Sequence, residues 1–424
     1  MNFWINSLFV APPNVFMKKS KRQLAVEIIR RLRDKGFEAY FVGGCVRDLV
    51  LKKTPHDFDI ATSALPTDIE AIFSHVIPVG KAFGVMIVRH HHTSFEVATF
   101  RKDSVYVDGR RPQSVTYSDA KEDALRRDFT INGLFYDPLK RKILDWVGGV
   151  QDAKAKIIRT IGVAKDRFEE DHLRLLRAIR FACNLDFEIS DDIRQQFPLM
   201  APAIKKISFE RIKEELVKML VGRHPDRAVQ ELLESRLLEQ ILPETARYLA
   251  SQDSLNLLLK SLRSMQNTPS AAKAFAFLLL GLDDAVFEKA VRDLRFSNKE
   301  QEAIAQCRTA PIRFNNIHQK SKSEVKRLLR SEFIQEEMEF FRIYCEVHEK
   351  NVEPARLLEQ KYRLYKHELS PKPLLTGKDL LEMGISPGKS LGNLLYQLET
   401  QQLEGHLQTK RQALDWVRKN SPAS

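Results

Sequence analysis

The sequence predicts a small mixed α/β head followed by a long all-helical neck, body and tail. Three observations lead there. Strand-like runs occur only before about Gly149; from Arg167 onward the apolar residues recur at helical spacing; and 424 residues are too many for one ordinary core. With 43% hydrophobic and 29% charged residues the chain reads as globular, neither disordered nor membranous. The expected segments are a loosely ordered extension over 1–16, a head over 17–150, a neck over 151–224, a body over 225–310 and a tail over 311–424.

Leu24, Ile28 and Leu32 share one helical face, and Gly36 supplies the stop. "EAYFVGGCVRDLVL" reads as strand, glycine turn and helix. "DFDIAT" is a second strand, and "PTDIEAIFSHV" a helix with Pro66 in its first turn. "GVMIVRH" and "SFEVATFR" form a hairpin joined at His90-His91-His92-Thr93. The histidine run reads as a solvated turn, because no carboxylate or cysteine flanks it at ligand spacing. Beyond Pro225 the helices are expected to break at Pro243, Pro269, Pro311 and Pro354.

A net charge of +12 and a pI of about 9.4 point to a polyanionic partner, nucleic acid first. Cys45, Cys183, Cys307 and Cys345 lie far apart with no CxxC spacing, which fits a reducing cytoplasm and opposes a cysteine-zinc or disulfide framework. The apolar start, MNFWINSLFVAPPNVF, lacks a basic leader and is too short to span a bilayer.

"HDFDIAT" places Asp57 and Asp59 two residues apart, on one face of a strand. Carboxylates that close repel unless a cation lies between them, and Mg²⁺ prefers such oxygen ligands. Glu96 on a neighbouring strand is a third candidate. Upstream, Gly43 and Gly44 end a strand and open a helix, where backbone N–H groups can approach a phosphate. Arg47, one turn into that helix, can add a charge-assisted contact. A tight turn without ligand is the competing reading.

"GGCVRDLVL" followed by "DFDIATSALP" resembles the head signature of the class II tRNA nucleotidyltransferase and bacterial poly(A) polymerase family, within the DNA polymerase beta superfamily. "RRDFTINGLFYDP" resembles its second motif, "DWVGGVQD" its third, "EEDHLRLLRAIRFA" its fourth and "FERIKEELVKML" its fifth. Five motifs in order, over about residues 20 to 220, are highly specific. The resemblance implies a polymerase-beta-like palm for the head. It implies transfer of a nucleotide from a triphosphate to an RNA 3′-hydroxyl with release of pyrophosphate. Asp57 and Asp59 would hold Mg²⁺ in a two-metal site, and Glu96 would be the third catalytic carboxylate. Gly43, Gly44, Arg47, Arg127, Asp128, Asn132, Asp171, Arg174, Arg177 and Arg180 would contact nucleotide.

Asp171 and Arg174, three apart, are neighbours on a helix. A carboxylate accepts and a guanidinium donates, so the pair would take the edges of C and A and reject those of U and G. Arg177 and Arg180 continue the stripe, as contacts to triphosphate or tRNA or as simple partners of acids, with phosphate contact the favoured reading for Arg177. The polar stretch after Thr99 resembles the family's flexible loop, with Arg101, Asp103, Asp108 and Arg110 at its charged positions. In the tail, the Gly377-Lys378-Asp379 and Pro387-Gly388-Lys389 turns would let Lys378 and Lys389 meet the tRNA backbone.

CCA addition to the tRNA 3′ end from CTP and ATP leads. The link "LFYDPLKRKILDWVGG" resembles that of enzymes adding only the terminal A, so that activity and poly(A) addition stay open. An inactive RNA-binding relative would have lost an aspartate, the double glycine or Arg47, and none is lost. A His-Asp phosphohydrolase, suggested by His56-Asp57, lacks recognisable partner ligands.

Overall fold

The computed structural model describes residues 19–80, 84–103 and 115–420. The predicted N-terminal extension, with Asp108 and Arg110 of the loop, lies outside them. The fold divides into two units: one runs up to Ala178 and takes back Phe187–Met200, while the other holds Ile179–Asp186 and the chain from Ala201 on.

The first unit opens with α1 (Lys21–Asp34), capped by the Ser20 hydroxyl accepting from the Gln23 amide and ended at Gly36, whose φ is +87°. β1 (Ala39–Val42), α2 (Gly44–Val50), β2 (Asp59–Thr62) and α3 (Pro66–Ile72) follow, then β3 (Val76–Gly80), β4 (Val85–His90) and β5 (Thr93–Thr99). β6 (Arg101–Asp103) and β7 (Val115–Tyr117) form a separate antiparallel pair. α4 (Ala120–Leu125), β8 (Phe135–Asp137) and β9 (Lys142–Leu144) lead to α5 (Gly149–Ala155).

Seven strands make one mixed sheet in the order β3-β4-β5-β2-β1-β8-β9, with β2 and β5 its parallel pair and antiparallel neighbours elsewhere. Strand alternation sorts the side chains to two faces. Phe41, Ile60 and Val97 join Leu24, Ile28 and Leu32 of α1 in one core, while Val42, Ala61 and Phe135 pack with Ala120 and Ala124 of α4 on the other.

Two details differ from the sequence reading. Strands do not stop at Gly149: β10 (Ile157–Ile158) pairs in parallel with β11 (Glu188–Ile189), which brings 187–200 back to the first unit. Two residues are too few to show a period, so the sequence carries no signal for them. Pro311 does not break its helix but lies inside Asn298–Phe314. The proline removes the amide that would donate to the Cys307 carbonyl, and next to it the Arg313 guanidinium donates to the Gln306 carbonyl at 2.8 Å.

α6 (Ala164–Glu170), α7 (Leu173–Leu185), α8 (Asp191–Met200) and α9 (Phe209–Leu220) complete the neck region, and the rest of the second unit is helical. Its C-terminal segment has a core of its own, built on Leu375, Leu380, Leu394, Leu398 and Val417. Among the described residues no helix is long and apolar enough to cross a membrane.

Candidate active site

Asp59 is the first residue of β2, directly opposite Val42. One step further along, Ile60 pairs with Val97 of the parallel neighbour β5. Carrying that register back one residue sets Asp59 beside Glu96, and alternation puts both on the face shared by Ala61 and Ala98. The carboxyl of Glu96 lies above the ordinary range because of desolvation and then the Asp59 charge, against the opposing pull of Arg127 and Arg101. Asp59 is raised as well: desolvation leads, Arg127 opposes it and Asp57 adds repulsion.

Asp57 corrects the sequence reading. It precedes β2 in irregular backbone, so strand alternation does not place it. Its carboxylate is 79% exposed and is paired with the Lys21 ammonium from α1. Phe58 is buried against Phe41, and that anchor sets the chain's path between the two acids.

Beside the acids lies the glycine turn. Gly43 caps α2 with φ +70°, a left-handed conformation that glycine adopts freely. A Cβ there would sit 3.2 Å from Nη1 of Arg127. Arg47 donates to Asp48 at 2.8 Å and to the Asn132 side-chain oxygen at 3.2 Å. Asn132 in turn donates to Asp128 at 3.1 Å, and Arg177 grips the other Asp128 oxygen at 2.5 Å. Arg127 donates to Asp123 at 3.0 Å and to the Asn132 carbonyl at 3.4 Å. Five of the predicted residues (Arg47, Arg127, Asp128, Asn132 and Arg177) thus form one connected network, with Gly43 packed against Arg127.

Burial pushes the Asp128 carboxyl up, but Arg177, Asn132 and the Phe129 amide outweigh it and hold it at about 2. The turn bearing Asn132 is pinned from behind. Thr130 donates to Asp152 of α5 at 2.7 Å, and a Cβ on Gly149 would fall 2.1 Å from the Thr130 carbonyl oxygen. Only glycine lets α5 approach that closely.

The fourth motif also departs from expectation. Asp171 is not on the helix with Arg174: α6 ends at Glu170, Asp171 is extended at φ −147°, and α7 begins at Leu173. The Asp171 carboxylate accepts from the Leu173 amide at 3.0 Å, as a short polar side chain does at a break. Buried Arg174 donates through Nη1 to Glu170 at 2.5 Å and to the Arg167 carbonyl at 2.9 Å. Arg180, further along α7 and in the second unit, donates to Glu215 of α9 at 2.5 Å.

The remaining candidates are spread out. Arg101 begins β6, and its amide donates to Asp123 at 3.3 Å. Asp103 closes the same strand. Lys378 and Lys389 are exposed near the N-termini of the helices Gly377–Glu382 and Lys389–Glu404. Sequence reasoning missed Lys21, Asp48, Asp123 and Glu170, which hold the predicted residues in place. Asp123 had a legible signal, lying three and four residues before Arg126 and Arg127. The contact of Lys21 with a residue 36 positions away had none.

The family model for the poly A polymerase head domain matches residues 39–159, that for the RNA and SrmB-binding site of polymerase A matches 186–249, and tRNA nucleotidyltransferase domain 2 matches 265–417. The CCA-adding enzyme of Enterococcus faecalis is 35% identical over 405 residues, 92% of this chain and 94% of that protein. The CCA-adding enzyme of Oceanobacillus iheyensis is 45% identical over 218 residues, 51% of this chain and 54% of the relative. The crystal structure of the Bacillus stearothermophilus CCA-adding enzyme in complex with CTP is similar with a TM-score of 0.76 at 29% identity, covering 95% of this chain and 99% of that one. The fold, the order of the motifs and a relative matched along nearly its whole length agree: the chain belongs to the CCA-adding enzymes, class II tRNA nucleotidyltransferases.

Proposed function

We propose that this chain extends tRNA 3′ ends with C, C and A in turn, using CTP and ATP, without a nucleic-acid template and with release of pyrophosphate. The observation that carries the reading is the placement of Asp59 and Glu96 on one sheet face beside the Gly43 turn and the Arg47–Asn132–Asp128–Arg177 network. The full-length relatives named as CCA-adding enzymes support the choice of tail, and the relative crystallised with CTP supports the choice of substrate.

Asp57, Asp59 and Glu96 fit Mg²⁺. They are hard oxygen donors, and burial raises the carboxyls of Asp59 and Glu96, a desolvation that a bound cation would offset. Bound there, Mg²⁺ ions in a two-metal arrangement would lower the pKa of the RNA 3′-hydroxyl and neutralise charge on the departing pyrophosphate. The chain's own part is positional. The Lys21 ammonium shields Asp57, and Arg127 lies in the field of both Asp59 and Glu96. The backbone N–H groups at the Gly43 turn and the guanidiniums of Arg47 and Arg127 supply donors for phosphate oxygens.

Base choice falls to Asp171 and Arg174. Glu170 and the Arg167 carbonyl both hold Nη1 of Arg174, which fixes the plane of the guanidinium and leaves its other donors to be presented. Asp171 supplies the acceptor. C and A offer an amino donor next to a ring acceptor, while U and G would leave desolvated groups unpaired at roughly 1–3 kcal/mol each. Arg174→Ala is therefore expected to lose discrimination between C or A and U or G by about ten- to 100-fold or more, on a folded chain. Nucleotide preference measured one triphosphate at a time reads this out, and an unchanged preference rules out the assignment.

A further inference from the structure

The histidine run makes the turn that the sequence suggests, with His91 and His92 exposed, but its first member does not face solvent. His90 is buried, and its Nε2 lies 3.0 Å from Oε2 of Glu27, which α1 brings in from 63 residues away. His91 and His92, both with positive φ, form the two-residue connection between β4 and β5. The ring of His91 packs edge-on to that of His90, with centroids 4.5 Å apart. One donor atom from each of Glu27, His90 and His91 lies within 4.8 Å of the other two. The carboxylate missing from the neighbouring sequence is thus supplied by the fold.

These donors do not belong to the acids of the active site. Glu96 is three residues along β5 from Thr93, where the hairpin begins, roughly 10 Å away at strand spacing. The donor set is different too, two imidazole nitrogens and one carboxylate oxygen, which suits zinc-class ions and not Mg²⁺.

We propose that Glu27, His90 and His91 bind one zinc-class divalent cation, with water completing the coordination. Zn–N and Zn–O bonds of about 2.0–2.1 Å require donors roughly 3.3–3.5 Å apart in a tetrahedron. The His90–Glu27 pair is already near that spacing, and exposed His91 can close the remainder by side-chain rotation. Lys19 occupies Oε1 at 2.6 Å, so coordination through Oε2 leaves that ion pair in place. The bound ion ties α1 to the β4–β5 hairpin and stabilises the head, because it binds the folded chain and not the unfolded one.

The test uses the untagged full-length chain in excess Mg²⁺, titrated with Zn²⁺ by calorimetry and with Co²⁺ as a spectroscopic probe. One ion per chain is expected, with the intense visible absorption of nitrogen-ligated, four-coordinate Co²⁺ and a raised melting temperature. Glu27→Gln and His91→Ala, both at accessible positions, should weaken binding at least tenfold and abolish that absorption while leaving CCA addition unchanged. Wild-type binding that persists in both variants, or no binding in the presence of Mg²⁺, would overturn the assignment.

Discussion

Asp59→Asn is expected to abolish nucleotide incorporation and, in the metal-free chain, to raise the melting temperature. The two effects share one cause. Desolvation and the neighbouring Asp57 raise the Asp59 carboxyl above its unfolded value. For an acid shifted in that direction, the ionised form costs the native state stability at neutral pH, and the cost fades as pH falls through the folded pKa. Asparagine keeps the shape and removes the charge, so it removes the cost. It also removes a carboxylate proposed to hold Mg²⁺, an ion whose contribution of several kcal/mol to the transition state would correspond to on the order of 10³-fold in rate. Binding of tRNA, proposed to rest on phosphate contacts elsewhere, should stay nearly unchanged. Single-turnover incorporation, a thermal melt in chelator and a filter-binding titration give the three readouts. A lower melting temperature together with lost activity would make Asp59 a structural residue.

Asp128→Ala is expected to be the most destabilising change at the site. The carboxylate is buried, receives Arg177 at 2.5 Å through Nη2 and at 2.9 Å through Nε, and accepts from Asn132 and the Phe129 amide. Removing one partner of such a pair leaves the others desolvated, which costs about 3–5 kcal/mol. In a unit of this size that is roughly 6–20 °C in melting temperature. Because Asp128 is held at about 2, the sign of its pH dependence is fixed. Its contribution is fully present above the unfolded value near 4, and is lost as pH falls towards 2. Arg177→Ala should cost less than additively in the double variant, since both remove the same interaction. A full additive loss at neutral pH would show that the pair is not a unit.

Much of the head was legible because its signals are local. The apolar run of β1, the alternating runs of β4 and β5, the glycine after α1 and the glycine turn before α2 each follow from a few adjacent residues. The acids at 57, 59 and 96 were legible as residue types. Their arrangement was not, because the strand begins only at Asp59 and its neighbour Glu96 is set by a parallel pairing across 37 residues of chain. The apolar spacing from Phe168 to Leu175 and Leu176, at i+7 and i+8, runs over the break at Asp171, so periodicity alone joins two helices that the Asp171 side chain separates. Contacts such as Lys21 with Asp57, Glu27 with His90 and Arg177 with Asp128 depend on the closed fold, and nothing in their local sequence anticipates them.

The central claim, stepwise CCA addition by this chain alone, is tested by primer extension with Mg²⁺ and each triphosphate, singly and mixed. The substrates are a tRNA lacking CCA, a tRNA ending in CC and an unstructured RNA. Three additions to the first, one A to the second and a stop after each is the predicted result. Extension of only the CC-ending tRNA, or long adenosine tails on the unstructured RNA, would contradict it.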